Sequence, residues 1–343
     1  MAKKMKTLLI GAGTMGTIIG ALATEGGSDI TIVDAYKEHV NALNEAGAKI
    51  IGNIQKQIPV KACLPTQIQG KFDLILSITK HGAIEDSLIK AKPYMADDCI
   101  VLTLQNGFPE EKAMKLFPEE RVMGGSMEFS GTFKGPGITE LASEPHTLGI
   151  TFGSCSGEIT DKVRQVKQVL DPVGNIAITT NIKGLKWAKL TDNTCFSGLP
   201  TALGCEVGKV LDDDFALDCA AHIGSECAQV IEALGIEPVE IFGLLPTVER
   251  LVFKTDQEKQ KVKEYWRKVE EPFRGQIASM LQDVRNGRKC EINEINGQVS
   301  RTGGLVGVAT PYCDKVVELV TKLQCGELKL ENAWENLNAF KSL

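Results

Sequence analysis

The feature that most constrains this chain lies in its first thirty-four residues, Met1 to Asp34. Lys6-Thr7-Leu8-Leu9-Ile10 is a short apolar run suited to a buried strand. Gly11-Ala12-Gly13-Thr14-Met15-Gly16 follows without a spacer. Thr17 to Thr24 reads as helix, and Asp29 to Val33 as a second strand closed by Asp34. Strand, glycine turn, helix and strand make one right-handed βαβ unit. Gly11 permits a tight turn, Gly13 leaves the backbone open to a pyrophosphate, and Gly16 lets the helix pack close to the sheet. The helix N-terminus adds N–H groups and a partial positive charge. Asp34, about twenty residues on, is placed to accept hydrogen bonds from the hydroxyls of an adenosine ribose. The turn Gly11, Ala12, Gly13, Thr14, Met15 and Gly16, with Asp34, is therefore the candidate dinucleotide site.

A chain of 343 residues is long enough for two domains, at about 100–200 residues each. The formal net charge of −6 argues against a nucleic-acid surface or an anionic membrane as partner. The ten cysteines include no Cys-x-x-Cys pair and no clustered histidine ligands. A metal site is therefore not expected, and the cysteines read as reduced, mostly buried thiols. Lys3, Lys4 and Lys6 precede an apolar stretch in the manner of a secretory signal, but cleavage there would remove the phosphate turn. A cytoplasmic location is the expectation. No apolar run reaches the ~18 residues of a membrane span.

Along the chain, Lys37 to Ala46 reads as helix, Ala48 to Ile51 as a strand, and the Pro59–Ala62 region as another. Phe72 to Ile78 is a buried strand whose end carries Thr79-Lys80-His81. Ile84 to Lys92 reads as a crossover helix, and Cys99 to Leu104 as a strand ending in Gln105-Asn106-Gly107. These strand ends lie where ligands bind in an open parallel sheet. The stretches 121–128, 135–139 and 147–153 read as antiparallel strands extending the sheet. Ile159 to Leu170 then reads as helix and Ala177 to Thr180 as a last strand. Beyond Ile182 the pattern turns helical: Gly184–Leu199, Asp213–Leu234, Gln257–Val269, Gln276–Arg285, Glu291–Thr302, Pro311–Leu323 and Leu328–Phe340. The fold class expected is α/β plus all-α. A Rossmann dinucleotide-binding domain occupies 1–182 and a helical substrate and dimerisation domain 183–343. Lys254 to Lys268 is charge-rich and reads as a solvated helix face.

In the first of these helices Lys189, Asn193 and Ser197 are spaced i, i+4, i+8 and share one face. Trp187, Leu190 and Phe196 can bury the faces beside it. Further on, Ser279-Met280-Leu281-Gln282-Asp283 precedes Glu291-Ile292-Asn293-Glu294-Ile295-Asn296-Gly297. With Gly11-x-Gly13-x-x-Gly16, Asn106-Gly107 and Trp187-x-Lys189-Leu190-x-x-Asn193, these stretches resemble the ketopantoate reductase family (2-dehydropantoate 2-reductases). The resemblance runs over nearly the whole chain, and its last two stretches are fairly specific.

The resemblance implies an NAD(P)-dependent reductase of a small 2-oxo acid, ketopantoate or a relative, in pantothenate biosynthesis, with the substrate in the interdomain cleft. It implies Lys189 as the proton donor to the substrate carbonyl and Glu291 as an active-site carboxylate that orients the lysine or a substrate hydroxyl. Ser279 matches a residue for the substrate carboxylate, Asn106 and Asn193 match asparagines around substrate and nicotinamide, and Lys80 a basic residue near the adenosine end. Ser197 and Gln276 stand where relatives carry asparagine, and Ser197-Gly198-Leu199-Pro200-Thr201-Ala202-Leu203 replaces an Asn-Pro-Leu-Thr-Ala-Leu pattern. Both lie on the substrate side, where Glu128 and Glu140 can also reshape the pocket. Well-studied relatives use NADPH and place a basic residue at the end of the second strand. Asp34 there would repel a 2′-phosphate and favour NAD(H); NADP(H) stays the alternative, with Lys37 and Lys80 as phosphate partners. A homo-oligomer, a dimer by preference, is expected. Two other readings stand beside this one: a different hydroxy-acid or opine-type dehydrogenase, and a non-catalytic NAD(P)-binding sensor.

Overall fold

A computed structural model describes residues 4–343, so Met1 to Lys3, including Lys3 of the basic N-terminal cluster, lie outside the described residues. The chain divides into two units, one ending at Ile182 and the other Lys183–Leu343.

The first unit is built on an eight-stranded sheet. Its strands are β1 (Lys6–Ile10), β2 (Asp29–Val33), β5 (Lys61–Cys63), β6 (Phe72–Ser77), β7 (Met95–Thr103), β8 (Val122–Met127), β11 (Gly149–Ser154) and β12 (Asn175–Ile178). Their spatial order is β12-β11-β8-β7-β6-β1-β2-β5. The run from β5 to β8 is parallel throughout, while β11 lies antiparallel to β8 and parallel to β12. From β1 the chain first builds outward through β2 and β5, then returns to β6 on the other side. The β1/β6 junction is thus the switch point where open α/β sheets bind ligands. Helices α1 (Thr14–Glu25), α2 (Lys37–Ala46), α3 (Ile84–Ala91), α4 (Pro109–Met114) and α5 (Asp161–Leu170) complete this unit.

The central strands are apolar on both faces, as a covered parallel sheet requires. Leu9, Ile32, Leu74, Leu76 and Leu102 pack with Ile18 and Ile19 of α1 and Val163 and Val166 of α5. Their neighbours Leu8, Ile10, Ile75 and Val101 pack on the other face with Ile84 and Leu88 of α3 and Ala113 of α4.

The Pro59 region supplies its expected strand from Lys61 onward, whereas the 135–139 stretch departs from expectation. β5 joins the main sheet, but β3 (Ala48–Gly52), β4 (Lys56–Ile58), β9 (Gly131–Gly135) and β10 (Ile138–Leu141) form a separate four-stranded sheet, order β4-β3-β10-β9. Pro59 falls between β4 and β5, where a residue without an N–H cannot continue a ladder. Only β8 and β11 supply the antiparallel extension of the main sheet.

The second unit is helical: α6 (Ile182–Asn193), α7 (Leu199–Leu203), α8 (Val207–Asp212), α9 (Asp214–Ala233), α10 (Val248–Leu251), α11 (Asp256–Glu270), α12 (Ser279–Arg285), α13 (Asn296–Val306) and α14 (Pro311–Gln324), then a 3₁₀ segment Leu330–Phe340. The expected single helix Gly184–Leu199 is broken by a π-turn, Thr194–Gly198. α12 begins only at Ser279 and α13 only at Asn296, so Gln276 and Glu291 lie on the segments before them. The charge-rich α11 is not solvated all round. Lys263 is fully buried and pairs with Asp214 at 2.6 Å and Asp218 at 2.7 Å. All ten cysteines are free thiols, and six of them are buried. No helix among the described residues is long and apolar enough to cross a membrane.

Candidate functional site

The glycine turn sits at the switch point of the sheet. Gly11 has φ +101°, and an added Cβ would lie 2.8 Å from the Thr79 backbone nitrogen at the end of β6. A Cβ on Gly16 would collide with the Gly11 carbonyl oxygen, whereas one on Gly13 would meet nothing within 4 Å. Two glycines are thus required by the protein's own packing, and the third opens a space against bare backbone. No side chain caps α1. A backbone cradle at an uncapped helix N-terminus is what a pyrophosphate needs, so these residues fit a dinucleotide.

Asp34 is fixed from two sides. Its Oδ2 accepts from the Ala12 N–H at 2.7 Å and its Oδ1 from the Tyr36 N–H at 2.8 Å. Each oxygen keeps a further lone pair for a ribose hydroxyl. Beneath the turn, His39 is buried, and its Nδ1 accepts from the Gly137 N–H at 2.8 Å. Its Nε2 therefore carries the proton and donates to Thr17 Oγ1 at 3.1 Å, while Thr17 donates to the Ala12 carbonyl at 2.8 Å. Burial lowers the His39 pKa and the Asp34 charge only partly opposes it, so the imidazole is neutral. His39 supports the turn from below and carries no motif that would announce it.

At the neighbouring strand ends Lys80 is exposed and Asn106 half-buried. His81 Nε2 donates to the Asn106 carbonyl at 2.5 Å, and Lys112 Nζ donates to the His81 carbonyl at 2.9 Å. The first bond ties the ends of β6 and β7 together, and the second anchors α4 to the same end of β6. Glu128 and Glu140 have structural partners. Glu128 accepts from Thr151 Oγ1 at 2.7 Å, and Glu140 pairs with Lys134 at 2.7 Å.

In the second unit Lys189 and Asn193 are half-buried on α6, while Ser197 is 7% exposed within the π-turn. The i, i+4, i+8 spacing aligns side chains only along an uninterrupted α-helix, so the shared face holds for Lys189 and Asn193 and not for Ser197. Pro200 explains the interruption: it lacks an N–H and its ring would crowd the carbonyl four residues back. The π-turn also draws in α13. Asn296, fully buried, donates from Nδ2 to the Thr194 carbonyl at 3.2 Å. A Cβ on Gly198 would collide with Asn296 Oδ1. Gly198→Ala should therefore cost ~1–3 kcal/mol through overpacking, read as a lowered Tm; an unchanged Tm would mean the turn has slack.

α12, with Ser279 exposed at its first position, packs against the π-turn and α7. Gln276 is also exposed, and its carbonyl accepts from the Val207 N–H at 3.2 Å. Glu291 is half-buried, and its carbonyl accepts from the Glu294 and Ile295 N–H groups at 3.0 Å each. Asn296 ties the end of this segment to the π-turn. The candidate residues of this unit thus come from α6, the π-turn, the start of α12 and the lead-in to α13.

The carboxylate that binds Lys189 is Asp192, with Nζ to Oδ2 at 2.6 Å. Glu270, at the end of α11 and 2% exposed, shares a side-chain hydrogen bond with Asp192. Burial pushes the Glu270 carboxyl up to about 9; the Asp192 charge adds to the rise and the Lys189 charge opposes it. The Lys189 ammonium also lies 4.8 Å from the centroid of the Phe242 ring, a cation–π contact. Phe242 has φ +51°, left-handed for a bulky residue, and meets Phe273 edge-on at 5.8 Å. Sequence reading named neither Glu270 nor Phe242. Asp192 was open to it, standing three residues after Lys189 on one helix.

Comparisons with known proteins bear on both units. Residues 7–155 match the family model described as ketopantoate reductase PanE/ApbA, and residues 181–324 its C-terminal counterpart. A 2-dehydropantoate 2-reductase of Pyrococcus horikoshii is 31% identical over 310 residues, covering 90% of this chain and 93% of that protein. One from Streptococcus pyogenes serotype M18 is 25% identical over 319 residues, covering 92% and 97%. Among solved structures, a D-mandelate dehydrogenase in ternary complex with NADH and anilino(oxo)acetate superposes with a TM-score of 0.79 at 25% identity, covering 93% of this chain and 99% of that one.

Proposed function

The chain belongs to the ketopantoate reductase family and is an NAD(P)-dependent oxidoreductase; from that premise we propose that it reduces a small 2-oxo acid, ketopantoate or a relative, to the 2-hydroxy acid. The observation that carries this reading is the half-buried Lys189 ammonium, held at 2.6 Å by Asp192 within the family's Trp-x-Lys-Leu-x-x-Asn stretch.

In this reading the unit ending at Ile182 is the dinucleotide-binding domain and Lys183–Leu343 the substrate and dimerisation domain. A bound nicotinamide supplies the hydride. The turn Gly11–Gly16 holds the pyrophosphate, Asp34 the adenosine ribose, and Lys80 lies toward the adenosine end. Negative charge develops on the carbonyl oxygen as hydride arrives at its carbon, and Lys189 stabilises that charge and gives the proton. Ser279 receives the substrate carboxylate, and Asn106 and Asn193 flank substrate and nicotinamide. Ser197 and Gln276 tune the fit. Glu291 orients either the lysine or a substrate hydroxyl.

A second substrate class is favoured by one observation. Phe242 and Phe273 meet beside Lys189, and an aromatic 2-oxo acid would find an apolar wall there. The structural likeness to a D-mandelate dehydrogenase points the same way. The test follows absorbance of reduced nicotinamide with purified protein, supplying ketopantoate or phenylglyoxylate, each with NADH and with NADPH. Oxidation with either acid is the expected result, and the faster acid identifies the substrate class. Demonstrable cofactor binding with no turnover on any 2-oxo acid would replace this reading with the nucleotide sensor.

A further inference from the structure

Two carboxyl groups that share a hydrogen bond need a proton between them, because an ionised carboxylate only accepts. Asp192 and Glu270 are such a pair. The proton belongs on Glu270 for two reasons. Asp192 already receives the Lys189 ammonium at 2.6 Å, which stabilises it as the anion. Its side chain also keeps 16% exposure, whereas Glu270 is 2% exposed and its Oε1 has no hydrogen-bond partner.

We infer that Glu270 and Asp192 are positioning residues for Lys189: neutral Glu270 donates to Asp192, and the Asp192 carboxylate holds the Lys189 ammonium. The role for catalysis rests on the reading of Lys189 as proton donor. Lysine has a long flexible stem, and Asp192 and the Phe242 ring restrain its end from two sides. Glu270 makes that restraint depend on tertiary structure, since it arrives from α11 and fixes Asp192 on α6. Besides Lys189, Cys195 of the π-turn feels the charge of both carboxyl groups, and Cys227 and Glu226 of α9 act on the same thiol. Burial holds the Cys195 thiol neutral. The proton is retained up to about pH 9. Above that, two carboxylates face each other and the clamp opens.

The test uses Glu270→Ala, Glu270→Gln and Lys189→Ala in the full-length protein. Glu270→Ala should lower kcat by about 10²-fold, the scale of a misplaced catalytic group, with little change in the KM for reduced nicotinamide. Glu270→Gln replaces the acid O–H with an amide N–H donor. It should recover most of the lost turnover and move the alkaline limb of the pH profile, which belongs to the whole cluster. Equal losses in both Glu270 variants with an unshifted limb would overturn the positioning role. A second readout needs no substrate. Unfolded Glu270 loses its proton near the ordinary value of 4.5, while the folded protein keeps it to about 9. The wild type therefore loses stability relative to Glu270→Gln as pH rises through that window, and the Tm gap should widen. A gap independent of pH would overturn the neutral acid. Lys189→Ala separates the two readings. Collapse there with unchanged turnover in Glu270→Ala removes this inference and leaves the lysine. Surviving turnover in Lys189→Ala removes the lysine and the positioning role with it, while the Tm gap still decides the protonation of the pair.

Discussion

Lys189→Ala lowers kcat by about 10²–10⁴-fold, the usual loss for one general acid, and leaves the dissociation constant for NADH nearly unchanged. Both halves of this expectation follow from where the residue sits. Its ammonium is held 2.6 Å from Asp192, in the unit that does not contain the glycine turn. In the proposed role the group acts on charge that exists only as hydride transfer proceeds, so its loss should fall on kcat rather than on cofactor binding. Lys189→Arg sharpens the test. A guanidinium keeps the positive charge but does not release a proton near neutrality. It should therefore recover part of the electrostatic term and little of the proton transfer. Removing the lysine also leaves Asp192 without its cation beside Glu270, and breaking a partly buried pair destabilises the remaining charge. NADH fluorescence titration and Tm must accompany the rate measurement. Near-wild-type turnover in Lys189→Ala, with ketopantoate or phenylglyoxylate, would remove the residue from the mechanism.

How much of this site could be read from sequence depended on the range of the interaction. Strand β2 and helix α2 fall where the apolar pattern places them, Asp29–Val33 and Lys37–Ala46, because local periodicity decides both. The glycine turn was legible for the same reason: its three glycines answer contacts within one βαβ unit. Alternation does not name a strand's partner, so the 135–139 stretch was recognisable as strand where β10 begins, but neither β9 nor the second sheet was. Pro200 was a usable signal for the π-turn, since a proline four residues after Phe196 disturbs a continuous helix. Glu270 offered nothing comparable. It looks like one more charge on a charged helix, and only tertiary packing buries it against Asp192. Lys263 on the same helix repeats the lesson, reading as a solvated lysine and standing fully buried between two aspartates.

Asp34→Asn should move the protein's cofactor preference away from NADH, the cofactor that the carboxylate is proposed to favour. The carboxylate cannot easily swing aside for a 2′-phosphate, because the Ala12 and Tyr36 N–H groups hold its two oxygens at 2.7 and 2.8 Å. A ribose diol meeting it gains hydrogen bonds to a charged acceptor, worth about 1.5–3 kcal/mol each. A 2′-phosphate meets like charge instead, at a cost of about 1–4 kcal/mol per unit charge at 4 Å, depending on how much water remains. Asparagine preserves one acceptor for the turn and removes the charge. The NADH KM should then rise by about 10–10²-fold, while the NADPH KM falls, with exposed Lys37 and Lys80 as the candidate cations for the phosphate. Alanine would be the poorer probe, since it leaves both backbone N–H groups without their acceptor and loosens the turn for either cofactor. The ratio of kcat/KM for the two cofactors, measured in wild type and Asp34→Asn, is the deciding quantity. A wild type that prefers NADPH would mean that the lysines outweigh the carboxylate. An unchanged ratio in the variant would mean that Asp34 serves the backbone of the turn and does not face the ribose.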